Sequence, residues 1–210
     1  GRRGSLEGIV CDEVFEPLAP LFDEAREILT MELSGVATHF SLLAALATAP
    51  SREWPDLVEQ SRVEESVASR YGRILEDLGI CQSANPIFAP ANARRRRYRI
   101  VDPFIRFWFR FVFPFQADLA AGLPSREHYA RHVAPFLADH VAPVFEAICR
   151  AWVRARYAAT TDTVGAWWGL ARHDLRRAKI RGSEEIDVVG ARGKRVTVVG
   201  ECRWQSRPMG

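Results

Sequence analysis

The sequence predicts an α+β chain, with a helical region closing in a winged helix and a mixed α/β domain after it. Three observations lead there. Apolar residues recur at a helical period through most of the first third of the chain. Those helices give way to two short, strand-like segments around a basic tip, which is the order of a winged helix, a variant of the helix-turn-helix. Strand candidates then return only beyond residue 160, after a long helical stretch.

Residues 12–34 are helical in pattern. Pro17 and Pro20 confine the continuous helix to about 21–33, where Leu21, Phe22, Ala25, Ile28, Leu29 and Leu33 share one face and Gly35 supplies the stop. A second helix covers 38–49, with Phe40, Leu42, Leu43 and Leu46 on its apolar side, and a third starts near Trp54-Pro55, where proline suits a first turn. The clearest helix runs over 64–78. Val67, Tyr71, Ile74, Leu75 and Leu78 form its apolar stripe, Gly79 ends it, and Ser66, Ser69, Arg70 and Arg73 occupy the other face. Ile80-Cys81-Gln82 and Arg96-Tyr98-Ile100 are the strands that close the wing.

From Asp102 the texture changes. Residues 104–112 are apolar nearly all round, so they predict a buried connector helix, ended by Pro114. Residues 126–158 are helical in pattern, with breaks expected at Pro135 and Pro143 and a final helix over 144–157. Strands are expected over 163–168, 185–189 and 195–204. The last two flank Ala191-Arg192-Gly193-Lys194, a hairpin signal. The parts are thus 1–36, a winged helix over 37–101, and the α/β domain over 102–210.

With 210 residues and 48% apolar content, the chain can fill one large or two small cores. No apolar run reaches the roughly 20 residues a membrane span needs. The richest, 104–115, is interrupted by Arg106 and Arg110. No secretory h-region opens the chain, and Cys11, Cys81, Cys149 and Cys202 lack C-x-x-C spacing. Together these predict a cytoplasmic chain with reduced thiols, without a zinc site or a disulfide scaffold. Net charge is +3, but the basic residues cluster. Arg94, Arg95, Arg96 and Arg97 form one block, and 150–181 holds eight basic residues against Asp162 and Asp174. Such clustering suits a polyanion, double-stranded DNA above all. The chain does not begin with Met and stops after a strand-like segment, so it reads as part of a longer protein.

No G-x-x-x-x-G-K-[ST] loop is present to cradle nucleotide phosphates, so ATP hydrolysis is not expected of this chain alone. The histidines (His39, His128, His132, His140, His173) show no H-E-x-x-H arrangement; His128 and His132, one helical turn apart, have the spacing of a metal pair but no carboxylate or cysteine partner nearby, and read as surface or packing residues. The informative group is Glu185-Ile186-Asp187 followed by Glu201-Cys202-Arg203. A hairpin closing at Arg192-Gly193 brings the two strands side by side, with Glu201 and Arg203 on one face. Two carboxylates beside a cation can hold Mg²⁺ against a phosphodiester. A surface hairpin with cross-strand charge pairs would carry the same residues.

Tyr98-Arg99-Ile100-Val101-Asp102-Pro103-Phe104-Ile105-Arg106-Phe107-Trp108 resembles the signature of the archaeal-type AAA+ (DEXX-box) ATPases with a C-terminal domain of unknown function, also found in bacteria. Pro20-Leu21-Phe22-Asp23-Glu24 with Leu29 and Glu32-Leu33, and Glu185-Ile186-Asp187 with Glu201-Cys202-Arg203-Trp204, are similar to the same family. The resemblance covers nearly the whole chain. It implies that 1–36 ends the lid of an ATPase module preceding this chain, which alone would bind ATP. It implies further that 102–210 is a PD-(D/E)XK nuclease-like, restriction-endonuclease-like α/β domain, incomplete at its C-terminus. By that resemblance Glu146 stands for the helical glutamate, Asp187 for the aspartate of the second strand and Glu201 for the acidic residue of the third. Arg203 stands where the family has lysine. Arginine stays charged and presents a planar fork, so phosphate binding survives this change better than water activation does.

Three readings follow. The first is a DNA-binding region using Arg70, Arg73, Arg94, Arg95, Arg96 and Arg97 on the 64–78 helix and the wing. The second is an Mg²⁺-dependent endonuclease with Glu146, Asp187 and Glu201 as metal ligands and catalytic residues together with Arg203. The third is a protein–protein regulatory domain docking through the winged helix. Arg203 favours the first over the second.

Overall fold

A computed structural model describes residues 4–90, 93, 95–170 and 183–204, and the chain divides into two units by the contacts it makes with itself. The first unit is Gly1–Ser83 with Arg97–His140, and the second is Ala84–Arg96 with Val141–Gly210.

In the first unit, Ser5 opens α1 (Leu6–Val10), its hydroxyl accepting from Gly8 N at 3.1 Å. The chain continues as one π-helical turn over Cys11–Phe15. Helix α2 (Glu24–Glu32) turns Ala25 and Leu29 inward. Gly35, at φ 71°, starts α3 (Val36–Ala47), and a Cβ there would lie 2.6 Å from the Tyr71 hydroxyl. Phe40, Leu42, Leu43 and Leu46 make α3 a core helix. Then follow β1 (Arg52–Glu53), α4 (Trp54–Ser61), α5 (Glu65–Asp77), β2 (Cys81–Ala84) and β3 (Arg97–Ile100). The strands form a sheet in the order β1-β3-β2, with Arg52 opposite Tyr98. Helix, short strand, two helices and a hairpin pairing back on that strand is the winged-helix order. The two residues of β1 are too few to leave a period in the sequence.

Helix α6 (Pro103–Phe111) starts where Asp102 accepts from Phe104 N at 2.7 Å and Ile105 N at 2.9 Å, with proline in the first turn. Trp108, Phe109, Phe111 and Val112 are buried, and Trp108 Nε1 donates to Phe22 O at 2.7 Å. The helix is buried as the sequence predicts, but it packs into the first unit, which continues to His140. The boundary expected at Asp102 therefore does not coincide with the division by packing. Apolar residues on every side mark a helix as buried without saying which core takes it. Two short helices follow, α7 (Gln116–Ala120) and α8 (Ser125–His128). His128 Nε2 donates to Phe111 O at 2.7 Å, and the Phe115 ring meets His128 edge-on and His132 at a tilt, so both histidines pack.

Helix α9 (Leu137–Arg156) begins just after Pro135 but runs unbroken through Pro143, contrary to the break expected there. An internal proline removes one N–H and crowds the i−4 carbonyl at a cost of about 3 kcal/mol. The contacts of the rest of a 20-residue helix outweigh that local penalty. In the second unit β4 (Thr163–Leu170), β5 (Ser183–Arg192) and β6 (Arg195–Gly200) form an antiparallel meander, with Gly193 at φ 58° in the β5–β6 turn. Asp162 Oδ2 accepts from Gly193 N at 3.0 Å and braces that turn. Strand β6 ends at Gly200, short of the expected 204. The architecture is mixed α+β. Among the described residues no helix is long and apolar enough to cross a membrane.

Candidate nucleic-acid face and carboxylate cluster

Helix α5 buries Ala68 and Leu75. Residues two and five positions beyond Ala68 are rotated by about 200° and 140° on a helix of about 3.6 residues per turn, so Arg70 and Arg73 lie on the opposite, solvent side. Both are exposed, with the Arg70 guanidinium 5.0 Å from the Tyr71 ring centroid. At the helix start Glu64 accepts from Ser66 N at 3.0 Å and Val67 N at 3.1 Å, and from the Ser66 hydroxyl. These bonds, the hydroxyl's first, hold its carboxyl below the usual range. The donors that could take a phosphate at this helix terminus are thereby occupied by a carboxylate.

The wing carries the Arg94–Arg97 block. Its segment 84–96 belongs to the second unit. Ile87 N donates to Ala166 O at 2.8 Å, and Trp168 Nε1 donates to Arg95 O at 2.8 Å. Ile87 packs in a small core with Val189 and Ala191. The cause lies in β4, where the register slips between Gly165 and Trp167. The bulge leaves Ala166 outside the ladder with its carbonyl available to Ile87, and Gly165 leaves room for the Ile87 side chain, whose Cβ lies 3.4 Å from where a Cβ would be. Arg95, Arg96 and Arg97 are half-buried, and Arg96 and Arg97 each have intramolecular partners. Arg94 lies outside the described residues, as does most of the basic stretch that continues from 171 to 182.

The second unit carries the carboxylates. Glu146 lies on α9, Asp187 on β5 and Glu201 just beyond β6. Val188 pairs with Gly200, and continuing that antiparallel register sets Asp187 across from Glu201 on one face. A second bulge makes this so. Gly190 faces Val198 but Ala191 faces Val196, leaving Thr197 as an extra residue whose hydroxyl lies 2.7 Å from the Thr161 hydroxyl. Were Thr197 taken into the ladder, Asp187 would oppose Gly200, and Glu201 would turn to the other face. Glu185, two residues from Asp187, shares its face.

Arg150 ties helix to sheet. Its Nη1 donates to Asp187 O at 2.9 Å and lies 3.5 Å from Glu146 Oε2. Asp187 Oδ2 accepts from Cys202 N at 2.7 Å. Burial, then the charge of Asp187, push the Glu146 carboxyl above its ordinary range against the pull of Arg150. Glu201 is raised as well, by desolvation, then by the Asp187 charge and a hydrogen bond between the two side chains. Arg203, exposed beside it, pulls the other way. The Cys202 thiol is pushed up to about 12, by desolvation first and then by its hydrogen bond with Cys149.

The Asp187 charge acts on both Glu146 and Glu201, and a proton or a cation would relieve that repulsion. Their oxygens suit a hard divalent cation in kind. In spacing, no three Asp, Glu, His or Cys groups among the described residues gather closely enough to hold a metal. Arg150 is not singled out by any motif, although its i+4 spacing from Glu146 is a helical ion-pair signal. The Cys149–Cys202 contact has no sequence signal at all.

Residues 108–209 match DUF234. That family is described as archaea bacterial proteins of unknown function, and the match spans just under half of the chain. Among solved structures, the chain is similar to the MarR family transcriptional regulator from Silicibacter pomeroyi DSS-3, at 19% identity and a TM-score of 0.29. The similarity covers 64% of this chain and 88% of the regulator. No curated protein matches the chain.

Proposed function

We propose that this chain is a DNA-binding module of a larger AAA+ ATPase, contacting duplex phosphates through Arg70 and Arg73 on α5. The observation that carries the reading is a winged-helix order whose second helix in the turn presents two exposed arginines opposite its buried face. Glu64 at the helix start disfavours a phosphate there, so the contact falls to the helix middle. The half-buried Arg95, Arg96 and Arg97 contribute less. Fluorescence anisotropy of a labelled duplex across a salt series tests this. Arg70→Ala and Arg73→Ala should each weaken binding to all sequences alike and reduce the log–log salt slope by about 0.9. An unchanged affinity and slope in the double variant overturns the reading.

A second reading is favoured by one observation, the charge of Asp187 acting on both Glu146 and Glu201. Their oxygens are of the kind that a hard divalent cation such as Mg²⁺ takes, but the three are not gathered closely enough here to hold one, so an endonuclease reading requires them to draw together. Arg203 would steady a phosphate but cannot pass a proton. A plasmid-nicking assay with Mg²⁺ or Mn²⁺ separates the readings. Little or no nicking is expected, whereas nicking that Asp187→Ala abolishes makes the nuclease reading the correct one.

A further inference from the structure

Cys149 and Cys202 stand 53 positions apart in the sequence, yet the contacts Phe145–Trp204, Arg150–Asp187 and Cys202–Asp187 bring α9 and the chain leaving β6 together around them, and Cys149 raises the Cys202 thiol. Both are reduced and only partly buried, whereas Cys11 and Cys81 are sealed in the core of the first unit. The pair is part of a ladder between α9 and the chain leaving β6. Phe145 and Trp204 meet with ring centroids 5.5 Å apart and planes tilted by 56°. Phe145 and Cys149 are one turn apart on a single helix face, an advance of about 6 Å. Trp204 and Cys202 are two residues apart, and extended chain advances about 6.8 Å over that step. The two spacings are alike, so where the chain after β6 is extended a Phe145–Trp204 contact leaves Cys149 within reach of Cys202. Two further contacts hold the region in place: Arg150 Nη1 to Asp187 O at 2.9 Å, and Cys202 N to Asp187 Oδ2 at 2.7 Å.

We propose that Cys149 and Cys202 are a reversible disulfide site that links α9 to the segment after β6. The oxidant is a low-molecular-weight disulfide. One protein thiolate attacks it, forming a mixed disulfide and expelling the first small thiolate, and the second protein thiolate then displaces the other small thiolate. The two electrons of the new S–S bond come from the two cysteine sulfurs, and the two cysteine protons end on the two released thiols. The bridge tethers the helix carrying Glu146 to the chain carrying Glu201, so thiol redox poise sets whether those elements can separate. The site goes beyond DNA binding and does not depend on it.

The test treats the folded, full chain with oxidised glutathione, alkylates the remaining thiols and maps peptides by mass spectrometry. The expected result is loss of two hydrogens, a single linked peptide joining Cys149 to Cys202, and alkylation confined to denatured Cys11 and Cys81. The melting temperature should rise on the order of 10 °C, because a cross-link across a long loop restricts the unfolded chain, and dithiothreitol should reverse it. Cys149→Ser and Cys202→Ser should each give only a glutathione adduct on the remaining thiol. A wild-type chain that keeps such an adduct without closing the bridge, links Cys11 or Cys81 instead, or takes up no oxidant overturns the proposal.

Discussion

The two units solve different problems with different residues. The first packs Phe15, Leu42, Leu43, Trp108, Phe109 and Phe111 into a large aromatic interior, and it buries three histidines in that interior. The second has a small core around Ile87, Val189 and Ala191, and gathers its ionisable groups into a strip of opposed charges. In the first, burial holds His39, His128 and His140 below the usual imidazole range, so the fold keeps them neutral. In the second, carboxylates sit close enough for the Asp187 charge to push Glu146 and Glu201 up. Stability is concentrated where apolar area is large, and electrostatic tension where it is small. A site that must respond to a proton, a cation or a phosphate needs the second kind of surroundings.

Breaking the first core should produce the largest effect. Trp108→Ala removes a fully buried indole and leaves Phe22 O without its donor, so it should cost about 3–5 kcal/mol by urea unfolding. Acid should act next, through the same interior. His140 is lowered from 6.5 to about 4, by burial first and then by Arg106 and Arg110. Its folded pKa lies below its unfolded one, so the stability it contributes is present above the unfolded value and is lost as pH falls from 6.5 toward about 4. The loss should be on the order of 3 kcal/mol, and His140→Gln should flatten that part of a stability-versus-pH curve. The smallest effect belongs to the second unit. Glu146 has a raised folded pKa, so its neutral form is favoured and stability falls as pH rises through that value. Glu146→Gln should therefore stabilise near neutral pH by no more than about 1 kcal/mol, with the gain vanishing in acid. A destabilised Gln variant at neutral pH would mean that the Arg150 pair outweighs the repulsion.

Much of the helical half was legible because its signals are local. The stripe of α5, the stop at Gly79 and the Asp102-Pro103 start of α6 all lie within a turn or two of the residues they govern. The Glu201–Asp187 pairing was legible in outline, since Arg192-Gly193 announces the hairpin. Pro143 misled because a local rule was set against the contacts of a long helix. The seating of the wing depends on a bulge at Ala166 and on a partner far along the chain, neither of which has a period to read. Cys149 and Cys202 were set aside as scattered thiols because spacing along the chain, unlike a ladder between two elements, carries no trace of their meeting.

The extra residue at Thr197 makes the arithmetic of β6 one of parity. Five steps separate Arg192 from Asp187 and six separate Arg195 from Glu201, so the bulge absorbs one residue and sends Glu201 to the side where Asp187 stands. Losing Thr197 would straighten the strand and leave that pairing intact. An inserted residue that the ladder takes up without a second bulge would preserve the hairpin and its turn and exile the carboxylate to the opposite surface. A second inserted residue would return it, now across from Glu185. A lone insertion, harmless to the fold, would therefore be the cheapest way to erase the cluster.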